Sequence, residues 1–62
     1  MQGRIEWFNI SKCYGFIEAE DGRDYFVHER AIIEGTPCDN ALVKFEIGSN
    51  AKGPCAVNVR VL

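Results

Sequence analysis

The chain has 62 residues, of which 47% are hydrophobic and 26% are charged, and we expect residues 1–62 to form one folded domain. Its net charge of −2 argues against nucleic-acid binding by bulk electrostatic attraction alone, although a groove can be locally positive. No apolar run approaches the roughly 20 residues that span a bilayer, and no signal-peptide core is present, so we expect a cytoplasmic protein with no membrane partner.

Five short strands are predicted along the chain, because runs with apolar alternation or β-favouring residues are bounded by turn residues. These strands cover residues 3–9, 14–19, 24–28, 41–47 and 55–62. In the first strand Ile5 and Trp7 have the same parity, so simple alternation places both on one face. A bulge or a strong bend is needed if one of them is buried and the other is exposed.

The second and third strands are predicted to form a hairpin with an aromatic face. Asp21 and Gly22 between them are a strong short-range signal for a tight turn. Because successive side chains of a strand point to opposite faces, the hairpin can place four ring-bearing side chains together. These are Tyr14, Phe16, Phe26 and His28.

The remaining segments are predicted to supply loops and much of the core. Residues 29–32 are consistent with a single helical turn, and residues 33–40 and 48–54 are predicted loops. In the last two strands alternation gives one apolar face, formed by Val43, Phe45, Ile47, Cys55, Val57, Val59 and Val61. The core is completed from the first three strands by Ile5, Ile17, Tyr25 and Val27.

This arrangement predicts an all-β fold, a five-stranded antiparallel Greek-key barrel of the OB type. The long connection between the third and fourth strands favours that topology. A β-sandwich normally needs about seven strands and about 100 residues, which is more than this chain provides.

Three segments carry a resemblance to bacterial cold-shock proteins. WFNISKCYGFI, residues 7–17, resembles the segment that joins the first two strands of that family, and its last six residues resemble the first ribonucleoprotein motif. DYFVH, residues 24–28, resembles the second such motif. Residues 52–54, with Ala56 and residues 58–59, resemble the final hairpin and strand. The similarity covers nearly the whole chain, and two motifs at the expected separation make it specific.

The resemblance implies a cold-shock domain that binds single-stranded RNA and DNA and acts as an RNA chaperone or as a regulator of transcription or translation. Aromatic side chains would stack on unpaired bases, and lysines would contact phosphates. The contact positions that the family implies are Trp7, Lys12, Tyr14, Phe16, Phe26, His28 and Lys52.

Four features depart from the family pattern. Glu6 stands where a basic residue is common, Cys13 replaces a usual glycine, and Glu29 occupies a position that is often aromatic. The loop at residues 33–40 is shorter than usual and lacks an aromatic residue. Because acids repel phosphate and a missing ring removes a stacking site, we expect weaker binding or a shorter footprint than in a typical member.

A second interpretation is a cold-shock-like barrel that serves as a protein-interaction module with weak nucleic-acid binding. In that case Glu6 and Glu29 would face a basic protein partner. The remaining charged residues are less informative: Arg4, Arg30 and Arg60 are interpreted as plain surface residues. Asp24 either accepts a hydrogen bond from a base edge or is a structural acid beside the turn.

An enzyme is not expected. The sequence has no nucleophile with a supporting base at a meaningful spacing and no phosphate-cradling glycine loop. Cys13, Cys38 and Cys55 are odd in number and widely spaced, so we interpret them as reduced thiols. We therefore expect no metal, no cofactor and no small-molecule substrate.

Overall fold

Six strands and one short 3-10 helix form the fold in the computed structural model, which describes residues 1–62. The strands are β1 (Gln2–Asn9), β2 (Tyr14–Ala19), β3 (Asp24–His28), β4 (Ile32–Glu34), β5 (Leu42–Asn50) and β6 (Gly53–Val61), and the 3-10 helix spans Glu29–Ala31. The five predicted strands correspond to β1, β2, β3, β5 and β6. No helix in this structure has the length and hydrophobicity required to span a bilayer.

The strands pair in the order β3-β2-β1-β5-β6-β4, and β3 also pairs with β6. That last pairing runs through Phe26 and Cys55 and closes the sheet into a barrel. The predicted all-β barrel of the OB type is therefore confirmed. The pairing is mixed in direction, because β3 and β4 each run parallel to β6 while the other neighbours are antiparallel.

A bulge in β1 gives that strand two different faces. Ile5 lies opposite Ile17 and Trp7 lies opposite Phe16, so Glu6 is an extra residue on β1. Ile5 is fully buried and Trp7 is 38% exposed, although the two residues have the same parity. The bulge that the alternation required is present, and it moves the Trp7 ring out of the core.

The core cluster lies inside the barrel and contains no ring of the predicted aromatic face. Its members are Ile5, Ile17, Ala19, Tyr25, Val27, Val43, Phe45, Ala56 and Val59. Phe8 is partly buried against this cluster. Because aliphatic residues and two rings fill the interior, the remaining aromatic side chains are free to lie on the outer surface.

A second bulge, in β6, makes part of the predicted core wrong. Lys44 lies opposite Arg60 and Glu46 lies opposite Val57, so β6 has one more residue than β5 between these pairs. Asn58 in this interval has a φ of 51°. The extra residue reverses the alternation, so that Ala56 is buried and Val57 lies outside the core cluster.

The predicted ends of the last strands and loops were also partly wrong. β5 continues to Asn50, and β6 starts at Gly53, so residues 48–54 form a strand hairpin with a tight turn instead of a long loop. Ile47 was expected in the core but is 48% exposed. The short strand β4 starts at Ile32, the last residue of the predicted helical turn, extends into the predicted loop 33–40, and pairs with β6.

Candidate nucleic-acid interface

The strand register brings five predicted site residues onto one outer surface. Across β2 and β3, Tyr14 lies opposite His28 and Phe16 lies opposite Phe26. The β1 bulge adds Trp7, which lies opposite Phe16. We call this set the aromatic platform: Trp7, Tyr14, Phe16, Phe26 and His28. Trp7 is exposed and the other four are partly exposed, so the common face predicted for the second and third strands is confirmed.

The four aromatic rings of the platform support one another. The Trp7 ring centroid lies 5.4 Å from that of Tyr14 and 5.5 Å from that of Phe16. The Phe26 centroid lies 5.7 Å from that of Tyr14, with the two rings stacked, and 5.9 Å from that of Phe16, edge to face. These separations are within the favourable range for aromatic pairs, so each ring restricts its neighbours while keeping an outer surface.

Gly15 allows the two strands beneath the platform to approach closely. A Cβ atom at Gly15 would clash with the carbonyl oxygen of Trp7 and would lie 2.8 Å from the Cα of Phe8. Both of those atoms belong to backbone, which cannot swing aside. A glycine is therefore needed here to hold Trp7 beside Tyr14 and Phe16.

Lys52 and four of the platform residues line a common cleft with a volume of about 580 Å³. The cleft is lined by Tyr14, Phe16, Phe26, His28, Asn50, Lys52 and Pro54. The Asn50 side chain accepts a hydrogen bond of 2.8 Å from the backbone N–H of Lys52, which fixes the turn at this edge. No carboxylate residue lines the cleft, so its only formally charged side chain is a cation.

Asn50 and Pro54 are cleft residues that the sequence interpretation missed. Both were assigned to a long loop, whereas the structure places them at the ends of β5 and β6 beside the platform. Their sequence signal is the glycines and the proline of residues 48–54, which indicate a turn but not its length.

Lys12 lies in the turn before β2 and does not line this cleft. The Asn9 side chain accepts a hydrogen bond of 3.0 Å from the backbone N–H of Lys12. Cys13 follows with a φ of 63°, the left-handed conformation that glycine adopts without penalty. The turn therefore keeps the conformation expected for a glycine, despite the cysteine, and leaves Lys12 exposed.

His28 is oriented by the segment that follows it. Its Nδ1 atom accepts a hydrogen bond of 3.1 Å from the backbone N–H of Arg30. In the neutral ring the hydrogen is therefore on Nε2, which remains free to donate to a ligand. The ring can offer both a flat face and one directed donor.

Three carboxylates form an acidic end to the platform, defined here as Glu6, Glu18 and Asp24. Carboxylate oxygens of all three lie within 4.8 Å of one another. Glu18 lies opposite Asp24, one step along the face from the Phe16 and Phe26 pair. A side-chain hydrogen bond with Asp24, followed by desolvation and repulsion from the neighbouring acids, raises the pKa of Glu6. The ends of the platform therefore differ in charge.

Glu29, the other acid expected to oppose binding, lies outside the platform cleft. Its backbone N–H donates a 2.9 Å hydrogen bond to the carbonyl oxygen of Cys13, which ties the 3-10 helix to the turn before β2. The Glu29 carboxylate, followed by desolvation, raises the pKa of the Cys13 thiol. Glu29 therefore supports the turn before β2.

Comparison with known proteins gives consistent results along the whole chain. The model of the family described as 'Cold-shock' DNA-binding domain matches residues 1–62. The chain is 48% identical over 62 residues to the cold shock-like protein CspC of Bacillus cereus, and the match covers 95% of each chain. Over 66 residues it is 47% identical to the cold shock-like protein CspE of Escherichia coli K12, covering 100% of this chain and 96% of that protein. A cold shock-like protein of Thermotoga maritima is 45% identical over 65 residues, with 100% and 98% covered.

Proposed function

The chain belongs to the 'cold-shock' DNA-binding domain family, and from this premise we propose that it binds single-stranded RNA and DNA on the aromatic platform. At the level of the family it is a nucleic-acid-binding protein and not an enzyme. In our proposal the rings stack on unpaired bases while Lys12 and Lys52 contact phosphates. We also propose that it acts in the cytoplasm, as an RNA chaperone or as a regulator of transcription or translation.

The observation that carries this proposal is the exposure of several rings on one face of a very small domain. A small domain has few apolar side chains with which to form its core, so aromatic rings that lie outside the core call for a functional explanation. Stacking on a base contributes about 1–3 kcal/mol and tolerates different sequences, because every base has a flat face. The platform, bordered by Lys52 and free of carboxylates in its cleft, suits that use.

Chaperone activity would follow from selective binding to open strands. A duplex hides the faces of its bases, so only unpaired segments offer surfaces to the platform. Binding that favours the open form shifts an RNA toward it without any chemical energy input. No catalytic group is needed for this effect.

The test follows the fluorescence of Trp7, the only tryptophan, which belongs to the platform. We expect pyrimidine-rich single strands to quench it at low salt, whereas a duplex of the same length does not. Phe16→Leu and Phe26→Leu keep apolar bulk but lose a flat ring, and each should weaken binding by about 1–3 kcal/mol. Leu42→Ala, at a side chain that is 59% exposed and off the platform, is the control. If none of the single strands tested quenches the Trp7 fluorescence, the proposal is rejected.

The acidic end favours a second candidate function, a module that binds a basic protein partner. Three clustered carboxylates beside an exposed ring, Trp7, would suit lysine or arginine side chains. This candidate predicts negligible oligonucleotide affinity together with Trp7 quenching by a basic peptide. The same titration, run with both kinds of ligand, therefore separates the two functions.

A further inference from the structure

A second depression continues from the platform cleft across β6. It has a volume of about 590 Å³ and shares Phe26, His28 and Asn50 with the cleft. Beyond those shared residues its lining is Arg30, Ala31, Cys55, Ala56 and Val57. Because three residues belong to both linings, the two spaces adjoin each other on the outer surface of the barrel.

The two joined spaces differ in charge from the rest of the surface. Neither has a carboxylate in its lining, although the chain carries 9 acidic and 7 basic residues. The other two depressions include Glu29 and Glu46, respectively. Lys52 borders the first joined space and Arg30 the second, so an anionic chain meets cations along this route.

Arg30 is available for a ligand. The two ion pairs of the structure are made by Arg4 with Glu18 and by Arg60 with Glu34, so the guanidinium of Arg30 has no carboxylate partner. The residue is exposed, and its backbone N–H is held by the Nδ1 atom of His28. Arg30 is thus tied directly to a platform residue while its charge is unpaired.

The floor of the second depression is apolar because of the β6 bulge. That bulge takes Val57 out of the core cluster, and Val57 lines the depression beside Ala31. A nucleotide placed here would have an apolar surface for its base or sugar and a cation for its phosphate. The acidic end on the opposite side of the platform would repel the same strand.

We propose that a single strand bound to the platform continues past His28 and Asn50 into this second depression, where Arg30 binds a backbone phosphate. The proposal rests on the proposed function and deepens it, because it assigns an extra binding position and a direction. The strand extends away from the acidic end and across β6. Arg30, interpreted from sequence as a plain surface residue, becomes a binding residue.

The test is a length series of oligothymidylates, from about 3 to about 10 nucleotides, titrated against the wild type and charge variants of Arg30. Arg30→Gln should weaken binding of the longer strands about fivefold and leave the shortest strands unaffected. Arg30→Lys should keep most of the affinity, and Arg30→Glu should lose more than Arg30→Gln. With the longer strands, the slope of log affinity against log salt should fall by about 0.7 in Arg30→Gln, the value for one lost phosphate contact.

Arg60→Gln is the matched control, because it removes the same charge from a residue that lines neither space. It should leave the length dependence unchanged. If Arg30→Gln and Arg60→Gln behave alike, or if Arg30→Gln affects all lengths equally, the second binding position is rejected while the platform proposal stands. If the wild type binds no strand of any length, the proposed function fails, and this inference fails with it. Thermal melting of each variant confirms that the barrel is folded.

Discussion

Asp21 and Tyr25 form a side-chain pair that connects the β2–β3 turn to the core. The Tyr25 hydroxyl donates a 2.6 Å hydrogen bond to Oδ2 of Asp21, and the Tyr25 ring is 3% exposed. This bond, together with the backbone N–H of Arg23, holds the pKa of Asp21 below its ordinary value of 3.8. The same bond, with desolvation, raises the pKa of Tyr25 above 10.0. The pair joins the hairpin that carries Phe16 and Phe26 to the interior.

Tyr25→Phe tests this pair through the pH dependence of stability. A lowered carboxyl pKa in the folded state adds stability above pH 3.8, and that stability is lost as pH falls through the folded-state value. A raised phenol pKa adds stability that is complete below pH 10.0 and is lost as pH rises through the folded-state value. We therefore expect a lower melting temperature for Tyr25→Phe between these limits, with the difference from wild type shrinking in acid.

Thermal melts of wild type, Tyr25→Phe and Asp21→Asn across an acid-to-neutral series would measure this effect. Asp21→Asn should likewise flatten the acid side of the profile, because it removes the titrating group. If the difference in melting temperature between Tyr25→Phe and wild type stays unchanged at pH values below the folded-state pKa of Asp21, the assigned pairing is contradicted. The platform would still be intact in that case, since neither side chain belongs to it.

At the scale of single elements, two bulges decide which side chains reach the surface. In β1 the extra residue is Glu6, and in β6 the extra residue falls at Asn58. The Asn58 side chain donates a 2.7 Å hydrogen bond to Oε2 of Glu46, which supports the left-handed backbone at that point. The first bulge exposes Trp7, and the second takes Val57 out of the core cluster and buries Ala56.

Substitution of Asn58 tests the second bulge. Asn58→Val places a β-branched side chain at a φ of 51° and removes the hydrogen bond to Glu46, so it should lower the free energy of unfolding by about 2–3 kcal/mol. Asn58→Gly loses the same hydrogen bond but accepts the backbone conformation, so its cost should stay within about 1 kcal/mol. Urea unfolding measures both. Equal losses in the two variants would mean that backbone conformation is unimportant there.

The two bulges also explain how much of the fold and of the candidate site could be predicted from the sequence. Alternation predicted the hairpin and the common face of Tyr14 and Phe16, because β2 and β3 pair without irregularity. It failed in β6, since the extra residue places Ala56 inside the barrel in place of Val57 and leaves no mark in the apolar pattern. Trp7 is an intermediate case. Its parity indicated that a bulge or bend is needed if Trp7 is exposed while Ile5 is buried, but the exposure of the Trp7 ring was predicted from the family resemblance.

The ends of the strands were less predictable for a different reason. Glycine and proline near residues 48–54 indicated a break, but Gly53 and Pro54 lie inside β6, opposite Asn50 and Ser49. Composition alone could not separate a two-residue turn from a longer loop. The placement of Asn50 and Pro54 beside Lys52 therefore required the three-dimensional pairing.

At the scale of the whole molecule, charge is distributed unevenly around a chain whose net charge is only −2. Glu6, Glu18 and Asp24 lie at one end of the platform, while Lys52 borders the cleft. For the proposed binding, local charge near the platform matters more than the total charge, because exposed charges are screened beyond about 10 Å at moderate salt. We expect the acidic end to hold affinity below that of a barrel with a basic residue at position 6.

Glu6→Lys tests this distribution. It replaces an acid at the edge of the platform with a base, so it should tighten single-strand binding about fivefold at low salt, with a steeper salt dependence. Glu34→Lys makes the same change in net charge on β4, away from the platform cleft, and should have little effect. Titration of both variants with one pyrimidine-rich strand provides the comparison. Equal tightening would indicate a bulk effect of net charge, and tighter basic-peptide binding by wild type than by Glu6→Lys would favour the protein-interaction function.

β3 and β6 pair in the sheet at a single position, Phe26 with Cys55, so the line along which the barrel closes is short. Residues from both strands line the cleft, including His28 from β3 and Pro54 from β6. A nucleic-acid strand bound across both residues would hold β3 and β6 together, because it would have to dissociate before the two β-strands could separate. Opening of the barrel between β3 and β6 would then be coupled to dissociation of the bound nucleic acid.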